Sequence, residues 1–245
     1  EMEQAARRAL AHADRSARLR EAMAARILVA WAVAGGPTPV PEALRACEQL
    51  VEVADREHPV VLCSLATLRA MLGKIDDARA LLDRARELVL ERMRGRSPMM
   101  VLALDRASVE LSAGDVVAAE RQLEDALELA RAGRLRDTIS QTAARLSLVV
   151  VQRDPARAEA LATLSSDNAP AESIAAQALA RVATARATAS RARSAAADLG
   201  IEAVRLVPNE MPNLRADLLV ELAEILRESG DATGVTRAIG EAIGL

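Results

Sequence analysis

The chain's stock of side chains with distinctive chemistry is small: two histidines, two cysteines and a single lysine, Lys74, among 245 residues. A loop that cradles phosphate needs backbone N–H groups bared at a Gly-x-x-x-x-Gly-Lys-Ser/Thr or Gly-x-Gly-x-x-Gly turn. Neither occurs, and Lys74 follows Gly73 in what reads as a helix-to-helix turn. His12 and His58 stand 46 residues apart with no second His or Cys at ligand spacing, so no metal site is expected. His58-Pro59 reads as a helix start, and both histidines as surface residues. Cys47 and Cys63 fall inside apolar helical patterns and lack the base and cationic setting that a catalytic thiol needs, so both read as buried filler. The carboxylate pairs Asp76-Asp77 and Glu124-Asp125 fit a helix start and a solvated face better than acid–base machinery. The expectation is a chain with no catalytic residues, no cofactor and no metal.

The elements behind these residues follow from composition. Ala (54) and Leu (33) dominate, Phe and Tyr are absent and Trp31 is the only aromatic, so strong helix formers abound while strand-favouring rings are missing. That predicts an all-α fold whose core is built from Leu, Val, Ile, Met and Ala. With 51% apolar residues the chain folds rather than staying disordered, and a net charge of −3 gives no global pull toward nucleic acid or an anionic membrane. Two cysteines outside any disulfide framework fit a cytoplasmic setting. The longest uncharged apolar run, Ile27 to Gly36, is about half a membrane span. Because the chain starts at Glu1 rather than Met, it reads as an excerpt of a longer multidomain protein.

Internal repetition at roughly 35–41 residues dictates the architecture. Three segments carry it most clearly: Leu72-Gly73-Lys74-Ile75-Asp76-Asp77-Ala78, Ala113-Gly114-Asp115-Val116-Val117-Ala118-Ala119 and Ser229-Gly230-Asp231-Ala232-Thr233-Gly234-Val235. Each reads as a helix end, a glycine able to turn left-handed, a cap and a second amphipathic helix. Taking the glycine as anchor, residues five, nine and twelve places on should face inward: Ala78, Leu82 and Ala85; Ala119, Leu123 and Ala126; Val235, Ile239 and Ala242. Two weaker frames, anchored at Arg153 and Arg191, give Ala158, Ala162 and Ser165, then Ala196, Gly200 and Ala203, with Pro170 and Pro208 closing each unit. Helix pairs are therefore expected near 14–54, 55–95, 96–132, 133–167, 168–207 and 208–245, after a lone helix at 1–13 with an Ala5, Ala9 and Ala13 stripe. Such pairs bury their stripes only by stacking. The expected object is one domain over 1–245, a right-handed α-solenoid of about six pairs with first helices concave and second helices convex.

The turn-anchored small–large–small pattern resembles the tetratricopeptide repeat, with Leu82, Leu123, Ala162, Gly200 and Ile239 where that family places aromatic residues. Three stretches are similar to the C-terminal arrays of large bacterial signalling proteins. They are Glu1 to Ala13, the Gly36-Pro37-Thr38-Pro39-Val40-Pro41-Glu42-Ala43 loop, and Asn213 to Glu224. In those proteins an adenylate/guanylate cyclase domain and an AAA-type ATPase module precede the repeats. The resemblance implies a sensor or scaffold part of a signal-transduction protein and brings over no cyclase or ATPase residues.

Charge is the remaining functional feature. Arg181 to Arg205 is basic, with Arg181, Arg186, Arg191, Arg193 and Arg205 against Asp198 and Glu202, and Glu210 to Asp231 is acidic. Neighbouring repeats of opposite sign attract one another, which is the bland account. If a binding site exists, resemblance to peptide-binding arrays implies concave residues Arg181, Thr188, Asp217, Glu224 and Arg227. The expected function is a non-enzymatic protein–protein interaction or regulatory scaffold module that binds a protein, a peptide or its own parent's catalytic domains, without nucleic acid or membrane. The alternative is a structural or oligomerisation arm, possible as a homo-oligomer, of a nucleotide cyclase or ATP-binding transcriptional regulator.

Overall fold

The computed structural model describes residues 2–15, 19–52, 57–93 and 96–244. Among them the secondary structure is entirely helical: α1 (Met2–Arg15), α2 (Leu19–Gly35), α3 (Val40–Glu52), α4 (Pro59–Met71), α5 (Ile75–Arg92), α6 (Arg96–Ser112), α7 (Val116–Ala132), α8 (Arg136–Val150), α9 (Pro155–Asn168), α10 (Ile174–Thr188), α11 (Arg193–Leu206), α12 (Pro212–Ser229) and α13 (Ala232–Ile243). After α1 the helices fall into the six expected segments. The expected junctions at 53–56 and 94–95, and residues 16–18, lie outside the described residues.

Contacts divide the chain into two compact units, residues 1–115 and 116–245. In unit 1, α1 lies on α2, α2 and α3 pack on α4, and α4 and α5 pack together and against α6. Ala6 and Ala13 are the buried alanines of α1, whereas Ala5 and Ala9 of the expected stripe are exposed, because the face turned to α2 is offset by one residue. In unit 2, α8–α9, α10–α11 and α12–α13 are hairpins, and the first helices α8, α10 and α12 neighbour one another in a layer.

Three turns use the anticipated glycines, with φ of 73°, 75° and 83° at Gly73, Gly114 and Gly230. Each closes the preceding helix in the same way. At Gly73, its own N–H bonds to Ala70 O and the next N–H, of Lys74, to Arg69 O, satisfying carbonyls that the helix end leaves open. The sequence frame missed a fourth such turn: Arg134 takes φ 54° after α7, with its N–H on Arg131 O and that of Leu135 on Ala130 O. A side chain at positive φ carries a steric penalty that glycine does not. Arg134→Gly is therefore expected to raise stability by about 0.5–1 kcal/mol, measured as a higher urea midpoint.

The two weak frames turn differently. Arg153 and Arg191 have no left-handed backbone; their N–H groups bond three residues back, to Val150 O and Thr188 O. Their side chains reach a neighbouring hairpin instead, Arg153 to Glu120 and Arg191 to Glu159, both carboxylates six residues after the preceding anchor. Arginine at these anchors thus trades the glycine turn for an ion pair between successive second helices. Exposed pairs of this kind are worth under about 1 kcal/mol each.

The inward stripes explain how the core closes without rings. Ala78, Leu82 and Ala85 are fully buried in unit 1, as are Ala119, Leu123 and Ala126, and Ala158, Ala162 and Ser165, in unit 2. Ser165 shares a hydrogen bond with Ser140 at 3.3 Å, and the Ser147 hydroxyl donates to Ala158 O at 2.8 Å, so small polar side chains complete the α8–α9 contact. Gly200 is buried for a reason visible across the interface. A Cβ there would stand 3.0 Å from Leu222 Cδ1 and 3.2 Å from Ile225 Cδ1, so large residues of α12 fill the space that Gly200 vacates on α11. At α13 Val235 and Ala242 pack partly buried against the core, but the frame fails at Ile239, which is 38% exposed, while Gly234 and Ala238 are buried. The cause is that α13 packs chiefly on α12 among the described helices of its unit.

Candidate functional site

Helices α10 and α12 of unit 2 carry the five candidate residues between them, and each helix presents them differently. On α12, Asp217, Glu221, Glu224 and Glu228 follow one another at spacings of four, three and four, which puts four carboxylates on one stripe. On α10, Gln177, Arg181, Thr184 and Thr188 form a second stripe. Its start is fastened to the preceding loop, because Gln177 Nε2 donates to the carbonyls of Ala169 (3.1 Å) and Pro170 (3.2 Å).

Arg181 Nη1 bonds to Gln177 Oε1 at 2.7 Å and to Gln177 O at 2.8 Å, with no carboxylate within ion-pair distance. The Thr188 hydroxyl donates to its own helix at Thr184 O (2.8 Å). Glu224 and Arg227 pair with each other at 2.7 Å on the exposed side of α12. Asp217 is exposed and makes no hydrogen bond or ion pair. The structure thus brings Asp217, Glu224 and Arg227 together on α12 and Arg181 and Thr188 together on α10. The α10 stripe turns toward the end of α9, where Thr184 meets Ser166 at 3.5 Å, and so the five do not form one cluster.

What joins the two helices is a residue that the sequence had only counted as charge. Arg186, buried on the opposite side of α10, donates from Nε to Glu221 at 3.0 Å and from Nη1 to Glu228 at 2.7 Å. The available signal was positional: Leu179, Val182, Arg186 and Ala189 recur at three, four and three, an arginine inside an otherwise apolar stripe. A similar buried charge occurs in unit 1, where Glu110 on α6 accepts from Nε of Arg79 on α5 at 3.2 Å through both oxygens.

Two carboxylates on one cation leave the α12 stripe short of positive charge. Burial raises the Glu221 carboxyl above its ordinary range; the charge and hydrogen bond of Arg186 oppose this, and Glu224 and Asp217 add to the rise. Asp217 is also raised, by desolvation from the packing around its carboxyl, and the charge of Arg145, on α8, pulls the other way. The bland account therefore holds for Arg186 and for Arg191, which are spent on neighbouring helices. Neither Asp217 nor Arg181 makes a contact ion pair; Arg145 acts on Asp217 through its charge alone, and Arg181 is held by Gln177.

Elsewhere the expected chemistry is quiet. Cys47 and Cys63 are both buried and free. Burial pushes the Cys47 thiol up to about 11, and burial together with Asp105 pushes Cys63 well above the thiol range, so neither supplies thiolate at neutral pH. His58 caps α4 as expected from His58-Pro59, but it is half-buried rather than a surface residue, because it packs beside Met23, Leu50 and Val61. Among the described residues no group of three or more His, Cys, Asp or Glu is placed to hold a metal ion, and no helix is long and apolar enough to cross a membrane.

No protein-family model and no curated protein matches the chain. Solved structures do. BtubC (BKLC) from P. vanneervenii is 17% identical with a TM-score of 0.55, covering 98% of this chain and 88% of that one. A variant of the nearly identical TPR-like repeats of a Podosopora anserina putative kinesin light chain is 16% identical with a TM-score of 0.50, covering 77% of this chain and 96% of that one. At these identities the likeness speaks for fold alone, and the fold it shows is the all-helical tetratricopeptide-like repeat expected from the turn-anchored stripes.

Proposed function

We propose that the chain is a non-enzymatic protein–protein interaction module whose α10–α12 face binds a peptide or protein segment. The observation that carries this is Asp217, an exposed carboxylate of the α12 stripe with no hydrogen bond or contact ion pair, beside Glu221 and Glu228, which Arg186 holds, and Glu224, which Arg227 holds. A carboxylate held above its ordinary value with no donor is relieved by an incoming cation. The favoured partner therefore offers a basic side chain to Asp217, and Arg181 and Thr188 of the α10 stripe are separate candidates for an acidic or amide group. Stacked helices are ordered before the partner arrives, so little ordering cost falls on this side. A peptide library selected on the full chain tests the reading: enrichment of Lys or Arg, with affinity falling as acid protonates Asp217, is expected. Selected peptides without basic residues, or binding unchanged by acid, would refute it.

The finer setting, a scaffold that biases the cyclase or ATPase domains of a signalling parent in the cytoplasm, rests on the sequence resemblance alone. A second reading, an oligomerisation arm, is favoured by one observation: α13 exposes Ile239 at 38% and Ile243 at 82%. Light scattering separates the two. A dimer abolished by Ile239→Asp supports assembly, and a monomer that gains mass only with a selected peptide supports recognition.

A further inference from the structure

We propose that His58 is a proton-operated latch on unit 1: its neutral imidazole caps α4, and protonation releases the first turn of the helix around which that unit packs. The cap geometry is direct. His58 sits at the N-cap with φ −119° and ψ 130°, and its Nδ1 accepts the Val60 N–H at 3.3 Å. Pro59 has no N–H to offer, and the N–H groups of Val61 and Leu62 bond to the backbone carbonyl of His58 at 3.0 and 3.2 Å, so the Val60 N–H is the first-turn donor that depends on the imidazole. An imidazolium carries N–H on both nitrogens and cannot accept. Protonation therefore orphans the Val60 donor and sets a positive charge against the positive end of the α4 dipole.

Among the described residues that line its pocket, none offers that charge an unengaged anion. From α2 come Met23 and Arg26, and from α3 the apolar Leu50 and Val51. The adjacent anion, Glu57, is already held: its carboxylate by Arg84 of α5 at 2.8 Å, its carbonyl by Arg92 at 3.4 Å, with Glu87 on Arg84 at 2.9 Å. Half-burial pushes the imidazole below its ordinary 6.5, in keeping with this geometry. The sign follows: a folded value below the exposed one means the contribution to stability is intact above about pH 6.5 and is lost as pH falls. α4 touches α2, α3, α5 and α6, so loosening its start reaches four neighbouring helices of the unit.

The chain has only two histidines, which makes the test clean. Hydrogen–deuterium exchange of the full chain, corrected for intrinsic rates, is followed over residues 59–66 at pH 7.5 and 5.5. Acid should speed exchange there by up to about tenfold, the ceiling set by an exposed value near 6.5. His12→Gln should keep the acceleration and His58→Asn, a cap that does not titrate, should remove it. α12 should not accelerate, since its raised carboxyls, Asp217 and Glu221, favour the folded state on acidification. An acceleration that survives in His58→Asn, that is absent from the unsubstituted chain, or that α12 shares equally would overturn the latch.

Discussion

Leu82→Ala should lower stability by about 2–5 kcal/mol, while Ile239→Ala, nine residues after its own turn glycine like Leu82, should cost less than about 0.5 kcal/mol. Leu82 has no exposed surface and stands between Ala78 and Ala85, which are equally buried. Its removal leaves a cavity in the core that it shares with Leu65, Leu68 and Leu88. Ile239 already meets solvent over 38% of its surface, so its truncation removes little buried area. Urea unfolding followed by helical circular dichroism gives both midpoints. Equal shifts would mean that the repeat frame does not describe which residues hold the fold.

Arg186→Met should be the most damaging change on the candidate face. It leaves Glu221 and Glu228, each about a quarter exposed, facing each other without their shared cation. Stranding buried charge costs about 3–5 kcal/mol, and partial exposure of the two carboxylates reduces this to about 2–3 kcal/mol near neutral pH. The pH dependence has a definite sign. Glu221 is already raised with Arg186 present, and losing the cation raises it further, so the penalty present at pH 7 shrinks as acid protonates the carboxyls. Arg186→Met combined with Glu221→Gln and Glu228→Gln should recover most of the loss at pH 7, since no charge is then stranded. A single variant as stable as the parent would show that the pair is not coupled to folding.

Local periodicity made the helices and their pairing legible because each stripe reports a face and each left-handed glycine a turn. Leu82, Leu123, Ala162 and Gly200 were located as the small or aliphatic substitutes for rings, and all four are buried. The account failed where burial depends on what lies outside the helix. Ile239 has the right spacing, but α13 has no helix beyond it among those described to cover that stripe. Ala5 and Ala9 match helical spacing as well as Ala6 and Ala13 do, and only the approach of α2 decides between the two faces. Arg134 was missed because the left-handed residue there is not the glycine beside it, Gly133.

The candidate site was legible as charge and not as geometry. Counting showed a basic segment before an acidic one, but not that Arg186 would turn away from Arg181 and tie α10 to α12. Spacing along α12 placed Asp217 and Glu224 on one stripe, whereas the charge that acts on Asp217 from another helix, Arg145 on α8, is distant in sequence.

The claim that this face recognises a partner is tested most directly by fluorescence anisotropy with a selected, labelled basic peptide. It is titrated into the parent chain and into Arg181→Gln/Asp217→Asn/Glu224→Gln at equal helicity. A loss of affinity above tenfold, about 1.4 kcal/mol, is the expected result. Unchanged affinity in the folded variant would contradict the assignment of the α10–α12 face.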